Sequence, residues 1–234
     1  MTWLIDIGNT TTHIARLVNR SIRGGYRLPT GKIFLPGGPG RVFFCSVVPA
    51  VSHLWRKYLK RRGLFFREVT PESYPYEIDY PVNRIGADRL CNFLGVEEEY
   101  SFPAIVADFG TAVTIDAADR KKKYLGGAIF PGYRLSSAAI FKGTAKIKTT
   151  PLRFRADFLG RNTAESLGCG IEASLIGGAK FLIEKYKKLP GLSGSIVIAT
   201  GGDAERIIGK DKIVQHIDPL LTLKGLRRFS RSST

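Results

Sequence analysis

Asp6-Ile7-Gly8-Asn9-Thr10-Thr11-Thr12 is the stretch on which the reading of this chain turns. It follows the apolar run Trp3-Leu4-Ile5, which reads as the end of a buried strand, and leads into His13-Ile14-Ala15-Arg16-Leu17. A carboxylate at a strand end, then a glycine, then several hydroxyls in a tight turn suits a phosphate and its metal. Glycine lets the backbone come close to a ligand, and N–H groups and hydroxyls donate to phosphate oxygens. The aspartate can hold Mg²⁺ directly or through water. Asp-x-Gly also marks ordinary hairpin turns, so a single copy favours the plain turn.

The pattern, however, occurs twice. Ala104-Ile105-Val106-Ala107-Asp108-Phe109-Gly110-Thr111-Ala112-Val113-Thr114 lines up with Met1 to Thr12 at an offset of 102 residues. Each copy runs apolar strand, Asp, any residue, Gly, then small polar and apolar residues. A duplicated strand–turn–strand predicts two related domains facing each other across a nucleotide. In this the chain resembles the actin, sugar-kinase and heat-shock-ATPase superfamily. The resemblance implies an α/β fold of two ribonuclease H-like domains, with mixed sheets flanked by helices and a nucleotide cleft between them. The expected division is 1–102 and 103–234.

The totals agree with a globular protein of this size. Of the 234 residues 44% are hydrophobic and 24% charged, an ordinary soluble balance. No apolar run is expected to reach the length of a membrane span, and no basic-then-apolar leader opens the chain. Cys45, Cys91 and Cys169 are far apart, lack metal-ligand or redox spacing and sit among apolar residues. Buried reduced thiols and a cytoplasmic address are expected. The net charge of +16 raises the question of a nucleic-acid partner. The basic residues fall in short separate runs, Arg56–Arg62, Arg120–Lys123, Lys185–Lys188 and Arg227–Arg231, without interleaved aromatics. Such runs read as solvated helix faces and hairpin tips, so neither nucleic acid nor membrane is expected.

Along the chain, residues 14 to 48 read as strands and turns, with a sharp loop at Pro36-Gly37-Gly38-Pro39-Gly40 before the buried strand Arg41–Cys45. Val51, Leu54, Trp55, Tyr58 and Leu59 recur at helical spacing. Leu64-Phe65-Phe66 reads as a strand, and Pro71 to Pro81 as a loop able to contact a substrate. Gly86-Ala87-Asp88-Arg89 opens a helix whose apolar face is Leu90, Phe93 and Leu94. Strands are expected at Val113–Asp116 and Tyr124–Phe130, and a helix from about Leu135. Asn162 and Glu165 have the spacing of a capping box, which puts Thr163 in a first helical turn able to bind an anion. Gly168, Gly170, Gly177 and Gly178 in that helix predict close packing against another helix, across a subunit interface. Ile196–Thr200 reads as a strand whose following Gly201-Gly202 would let a ring or phosphate approach, and Arg227–Thr234 as a frayed tail.

Assembled, these pieces resemble the type III pantothenate kinases over nearly the whole chain. The resemblance is carried by Asp6-Ile7-Gly8-Asn9-Thr10, Ser46-Val47-Val48-Pro49, Gly86-Ala87-Asp88-Arg89 and Asp108-Phe109-Gly110-Thr111-Ala112. It continues through Gly126-Gly127, Pro131-Gly132, Gly160-Arg161-Asn162-Thr163, Thr200-Gly201-Gly202 and Leu221–Leu226. It implies phosphoryl transfer from ATP, with Mg²⁺, to the 4′-hydroxyl of pantothenate, the first committed step towards coenzyme A. It implies that Asp6, Ile7, Gly8, Asn9, Thr10, Thr11, Thr12, His13 and Thr111 bind ATP. Tyr80, Gly86, Ala87, Asp88, Arg89 and Thr163 would bind pantothenate. Asp88 would be the base, and Asp108 would hold a monovalent cation, K⁺ or NH₄⁺. It further implies a homodimer with the vitamin site near the subunit interface. Another small-molecule kinase of the superfamily, acting on a sugar or short-chain acid, and a non-catalytic regulator of the same fold are the rival readings.

Overall fold

The structure is a computed structural model that describes residues 1–38, 40–144, 151–153, 155, 157–209 and 211–232. Pro39 of the expected loop, and Ser233 and Thr234 of the expected tail, lie outside the described residues. Two five-stranded sheets organise the chain. In the first, β1 (Thr2–Ile7), β2 (Thr11–Val18), β3 (Ser21–Pro29), β4 (Arg41–Ser46) and β5 (Phe65–Glu68) lie in the order β3-β2-β1-β4-β5. In the second, β6 (Ala104–Phe109), β7 (Ala112–Ala118), β8 (Tyr124–Pro131), β9 (Ile196–Thr200) and β10 (His216–Ile217) lie in the order β10-β9-β6-β7-β8. Read from the far edge, the second order repeats the first. The motif strand is central in both, hairpinned to the next strand on one side and parallel to β4 or β9 on the other.

Period-two alternation decides what each face of the first sheet carries. Trp3, Ile5 and Ile7 of β1 and Val42 and Phe44 of β4 join one core with Val51, Trp55 and Leu59 of α1 (Pro49–Arg61). That helix starts with proline at its first position. It ends in a Schellman motif, in which Leu64 N–H donates to Leu59 O (3.1 Å) and Gly63 takes a φ of +62°. The residues between, Leu4 and Asp6 on β1 and Phe43 and Cys45 on β4, face the other way. There α2 (Ala87–Glu99) and α6 (Leu221–Arg231) cover the sheet, with Phe229 edge-on to Phe43 at 6.2 Å between ring centres.

The helices α2 and α6 cross at two glycines. A Cβ on Gly95 would collide with Leu221 O, and one on Gly225 with Cys91 O. Beyond the crossing, the acidic end of α2 is tied to the basic face of α6. Arg227 Nε meets Glu98 at 2.8 Å, Arg228 meets Glu97 at 3.2 Å and Arg231 meets Glu98 at 2.6 Å. The expected frayed tail from Arg227 is therefore corrected: residues up to Arg231 are helical and ion-paired. The repeat alone could not show this, because the partners lie some 130 residues earlier, as Thr222 on Asn92 illustrates.

Two compact units result. The first comprises Met1–Phe102, Ala118–Gly126 and Leu220–Thr234, the second Pro103–Ala117 and Gly127–Pro219. The tip of the β7–β8 hairpin and the final helix thus group with the first unit, not with residues 103–234 as the sequence reading had them. In the second unit α3 (Tyr133–Gly143), α4 (Thr163–Tyr186) and α5 (Ala204–Ile208) accompany the sheet. Contrary to expectation, α4 is long and apolar enough to cross a membrane by length and composition. Its buried stripe, Ile171, Leu175, Ala179 and Ile183, packs within the unit. Of its glycines only Gly168 makes a backbone approach, to Arg153 O, while Gly170 and Gly177 have open space before them. The expected helix–helix packing is not what holds Gly168.

Candidate active site

The first glycine turn is braced from inside. Gly8 N–H donates to Thr11 O (3.0 Å), Thr30 Oγ1 donates to Gly8 O (2.7 Å), and Thr30 N–H donates to Thr10 O (3.0 Å). Asn9, Thr10 and Thr11 are exposed and Asp6 is half-buried at the strand end. Ile7 is buried, so only its backbone can serve a ligand. Thr12 alternates inward on β2, and its Oγ1 is buried with no partner. Of the three threonines expected at phosphate, the turn presents two. His13 is half-buried opposite Arg27 of β3, and its Nε2 lies so close to Gly25 that a Cβ there would come within 3.1 Å. Burial first, and the Arg27 charge second, push the imidazole down to about 4, so it is neutral near pH 7.

Asp6 has a neighbour that the sequence did not reveal. Parallel pairing of β1 and β4 sets Cys45 beside Asp6 on the face towards α2, and the thiol donates to Asp6 Oδ1 at 3.6 Å. Cys45 is fully buried, beside the equally buried Cys91 of α2. The Cys91 thiol first, then burial and the carboxylates of Asp6 and Asp88, push Cys45 above the usual cysteine value. Burial first, then the same carboxylates, push Cys91 up, against the opposing effect of Cys45. The next turn of β4, Ser46-Val47-Val48-Pro49, closes against the motif through Val47 N–H on Ile7 O (3.1 Å).

Of the expected substrate residues, Tyr80 and Gly86 to Arg89 gather in the first unit, whereas Thr163 belongs to the second. Gly86 caps α2, Ala87 is its first residue, and Asp88 folds back so that Oδ1 accepts the Arg89 N–H at 2.8 Å. A Cβ on Gly86 would lie 2.5 Å from the Asp88 oxygen and 3.3 Å from Val47 Cγ1, so a larger residue would make the Asp88 side chain shift. Arg89 is buried, its guanidinium over the rings of Tyr80 (5.5 Å) and Tyr124 (5.6 Å). Tyr80 is thus joined to the Gly86–Arg89 segment through Arg89, a contact worth roughly 1–2 kcal/mol when desolvated.

The second turn is built on the first's plan with one change. Gly110 N–H donates to Ala112 O (3.1 Å), and Gly132 N–H to Thr111 O (3.0 Å). Thr111 is exposed and Asp108 half-buried. Gly201, at the end of β9 with φ +93°, stands where a Cβ would fall 2.5 Å from both Asp108 Oδ1 and Phe109 O. The sequence reading gave the space at Gly201 to an approaching ring or phosphate; the protein's own two oxygens occupy it. Thr163 is the first residue of α4 and exposed. Asn162 Oδ1 accepts the Glu165 N–H as expected (3.0 Å), but Glu165 returns to the Arg161 N–H (3.0 Å), one residue before the cap.

Among the described residues no group of three or more His, Cys, Asp or Glu side chains could hold a metal. A Mg²⁺ that rides on substrate phosphates needs only one or two carboxylates, so the single Asp6 in a hydroxyl-rich turn fits it. Asp108 and the Phe109 carbonyl, which accepts the Asp203 N–H at 3.0 Å, are hard oxygen donors of the type a monovalent cation takes.

The fold and this duplicated turn define the chain as a member of the class of sugar-kinase and actin-like ATPase folds. Solved structures agree at the level of fold. One, described as a Baf family transcriptional activator from Campylobacter jejuni, has a TM-score of 0.66 and 21% identity, covering 98% of each chain. Another, described as a 2-dehydro-3-deoxygalactonokinase from Sinorhizobium meliloti, has a TM-score of 0.55 and 11% identity, covering 100% of this chain and 97% of that one. Sequence narrows the class. Residues 3–185 match the type III pantothenate kinase profile, and a type III pantothenate kinase from Petrotoga mobilis is 32% identical over 93% of this chain and 82% of its own. The chain belongs to the type III pantothenate kinase family.

Proposed function

We propose that this protein transfers the γ-phosphoryl group of ATP to the 4′-hydroxyl of pantothenate, giving 4′-phosphopantothenate for coenzyme A synthesis. The observation that carries the reading is the pair of aspartate–glycine turns on equivalent strands, in a chain of this family. Phosphoryl transfer asks a protein for positioning and charge neutralisation more than covalent chemistry. Asn9, Thr10, Thr11 and the backbone of residues 7–8 supply donors for phosphate, with Asp6 for its Mg²⁺ and Thr111 for the nucleotide in the second turn. Tyr80, Gly86, Ala87, Arg89 and Thr163 hold pantothenate. Asp88 takes the proton of the attacking alcohol as the new bond to phosphorus forms. Asp108 and Phe109 O hold K⁺ or NH₄⁺.

A homodimer completes this reading. The outward face of α4 carries Gly170, Ala173, Ser174, Gly177 and Phe181, and Phe181 is 58% exposed. That face supports a second copy as its cover. The three buried free cysteines support a reducing, cytoplasmic setting.

A coupled assay with ATP, Mg²⁺, K⁺ and pantothenate tests the activity; phosphate transfer to a sugar and not to pantothenate would replace it with the sugar-kinase reading. Asp88→Asn keeps the shape but cannot take the proton, so kcat should fall by about 10² to 10⁴ with ATP affinity nearly unchanged. If Asp88 were only a helix-terminal charge, the variant would lose a little melting temperature and keep its turnover. Thr163→Val should raise the KM for pantothenate, and an unchanged KM would leave Thr163 a plain helix start.

A further inference from the structure

Proton counting at the buried Cys45 thiol fixes the direction of its hydrogen bond. The Asp6 carboxylate can only accept, so the contact of 3.6 Å between Cys45 Sγ and Asp6 Oδ1 uses the one proton of Cys45. The Cys91 sulfur, buried beside it on α2, packs against the other side of the Cys45 sulfur. Three groups on three elements form one chain, Cys91 on α2, Cys45 on β4 and Asp6 on β1. All three lie on the sheet face covered by α2, and both cysteines are completely buried. Cys91 stands three residues after Asp88, one turn further along the same helix face.

We infer that Cys45 is a positioning residue for Asp6: its thiol fixes the rotamer and charge of the carboxylate that serves the nucleotide's metal and phosphates, and Cys91 fixes the thiol. The inference rests on the function proposed above, and takes from it only the role of Asp6. A flexible aspartate at a strand end must be ordered when Mg·ATP binds; a donor already seated on Oδ1 removes part of that cost beforehand. The thiol is suited to this place because it fills apolar space and still offers a donor to the carboxylate. No bond is made or broken and no redox step is involved. The second copy of the fold sets a buried Thr200 at the register position opposite Asp108, again a small side chain with a donor.

Alanine and serine leave nearly the same space at position 45 and differ in one hydroxyl. The Kd for Mg·ATP, by calorimetry on the full-length protein, and steady-state KM and kcat should be measured for wild type, Cys45→Ala and Cys45→Ser. The expected result is a Kd and KM about 3- to 10-fold higher for Cys45→Ala, a value near wild type for Cys45→Ser, and kcat changed far less in both. Melting temperatures should fall by similar amounts in the two variants, since both lose the same sulfur packing. Equal Mg·ATP affinity in the two variants overturns the inference and leaves Cys45 a packing residue. Cys91→Ala should raise Kd in the wild-type background and much less in Cys45→Ala; equal effects in both backgrounds overturn the role of Cys91. A wild-type protein that binds no Mg·ATP overturns the functional reading itself, a result separate from either.

Discussion

The two glycine turns share a strand order and the parallel register of their aspartates, yet the residue after each aspartate's neighbour differs. Asp6 is met from the side by a donor, the Cys45 thiol, and its turn is braced by Thr30 from β3's end. Beside Asp108, the position that is Ser46 in the first copy is Gly201, with a positive φ and no room for a Cβ next to Asp108 Oδ1 and Phe109 O. The first arrangement leaves a carboxylate beside hydroxyls, suited to a phosphate with its metal. The second sets a carboxylate oxygen and a carbonyl oxygen around Gly201, the pair to which the proposed function gives the cation. On the proposed function the duplicated frame takes two electrostatic tasks, with the difference in the parallel neighbour strand more than in the motif.

The largest expected effect comes from erasing that difference. Gly201→Ala puts a methyl group 2.5 Å from Asp108 Oδ1 and from Phe109 O and strains a φ of +93°. One turn must move, and a displacement of about 1 Å near a phosphoryl-transfer site can cost on the order of 100-fold in rate. We expect kcat/KM to fall by about that factor. Ser46→Gly, the mirror change in the first copy, meets no such crowding and should cost only a few-fold. Similar losses in both would mean that the two turns are not divided as described.

Next in size is the pair Asp6→Asn and Asp108→Asn. Removing the charge at either turn weakens charge-assisted contacts of roughly 1.5–3 kcal/mol, or about 10- to 100-fold in activity. The two losses should differ in kind. Asp6→Asn should be equally impaired in K⁺, NH₄⁺ and Na⁺ at matched ionic strength. Asp108→Asn should lose the wild type's preference among them. A wild type indifferent to the cation would remove the second task from Asp108.

What could be read beforehand, and what could not, follows the range of the interactions. The turn at Asp6–Thr12, its echo at Asp108, the amphipathic α1 and the cap at Asn162 are local patterns, and the structure carries each of them. The return of α6 to α2 depends on Gly225 meeting Cys91 O and on arginines meeting Glu97 and Glu98, partners that no local pattern names. Cys45 read as a buried thiol, which it is, but its partner is set by parallel register and so by the sheet as a whole. Gly201 read as space for a ligand because composition reports a missing side chain without saying what fills the gap. The inward turn of Thr12 and the outward turn of Thr11 follow from strand phase, which begins one residue later than the motif's hydroxyl run would imply.

The smallest effect distinguishes the turns at the residue that follows the threonines. The first copy has His13, directly across the hairpin from Asp6; the second, whose turn is one residue shorter, has Thr114 in that place. Burial and Arg27 push His13 down to about 4, whereas an unfolded chain holds histidine near 6.5. As pH falls through about 6.5 the unfolded state takes up a proton that the native state refuses. Stability due to the neutral imidazole is therefore complete above about 6.5 and is lost progressively down to about 4, where the native ring also protonates. With the half-exposed ring screened by water, the loss should be roughly 1–2 kcal/mol. Urea unfolding of wild type and His13→Gln between pH 7 and pH 4 measures it, because carboxylate titrations are common to both and cancel in the difference. The wild type should lose more stability than the variant across that window, and parallel curves would show that His13 is not held neutral. Bound Mg·ATP sharpens the comparison: a phosphate seated on the first turn would pull the imidazole's pKa upward, so its ring proton signals should titrate at higher pH in the complex. No change on nucleotide binding would place His13 outside the phosphate shell and leave the first turn's charge work to Asp6 alone.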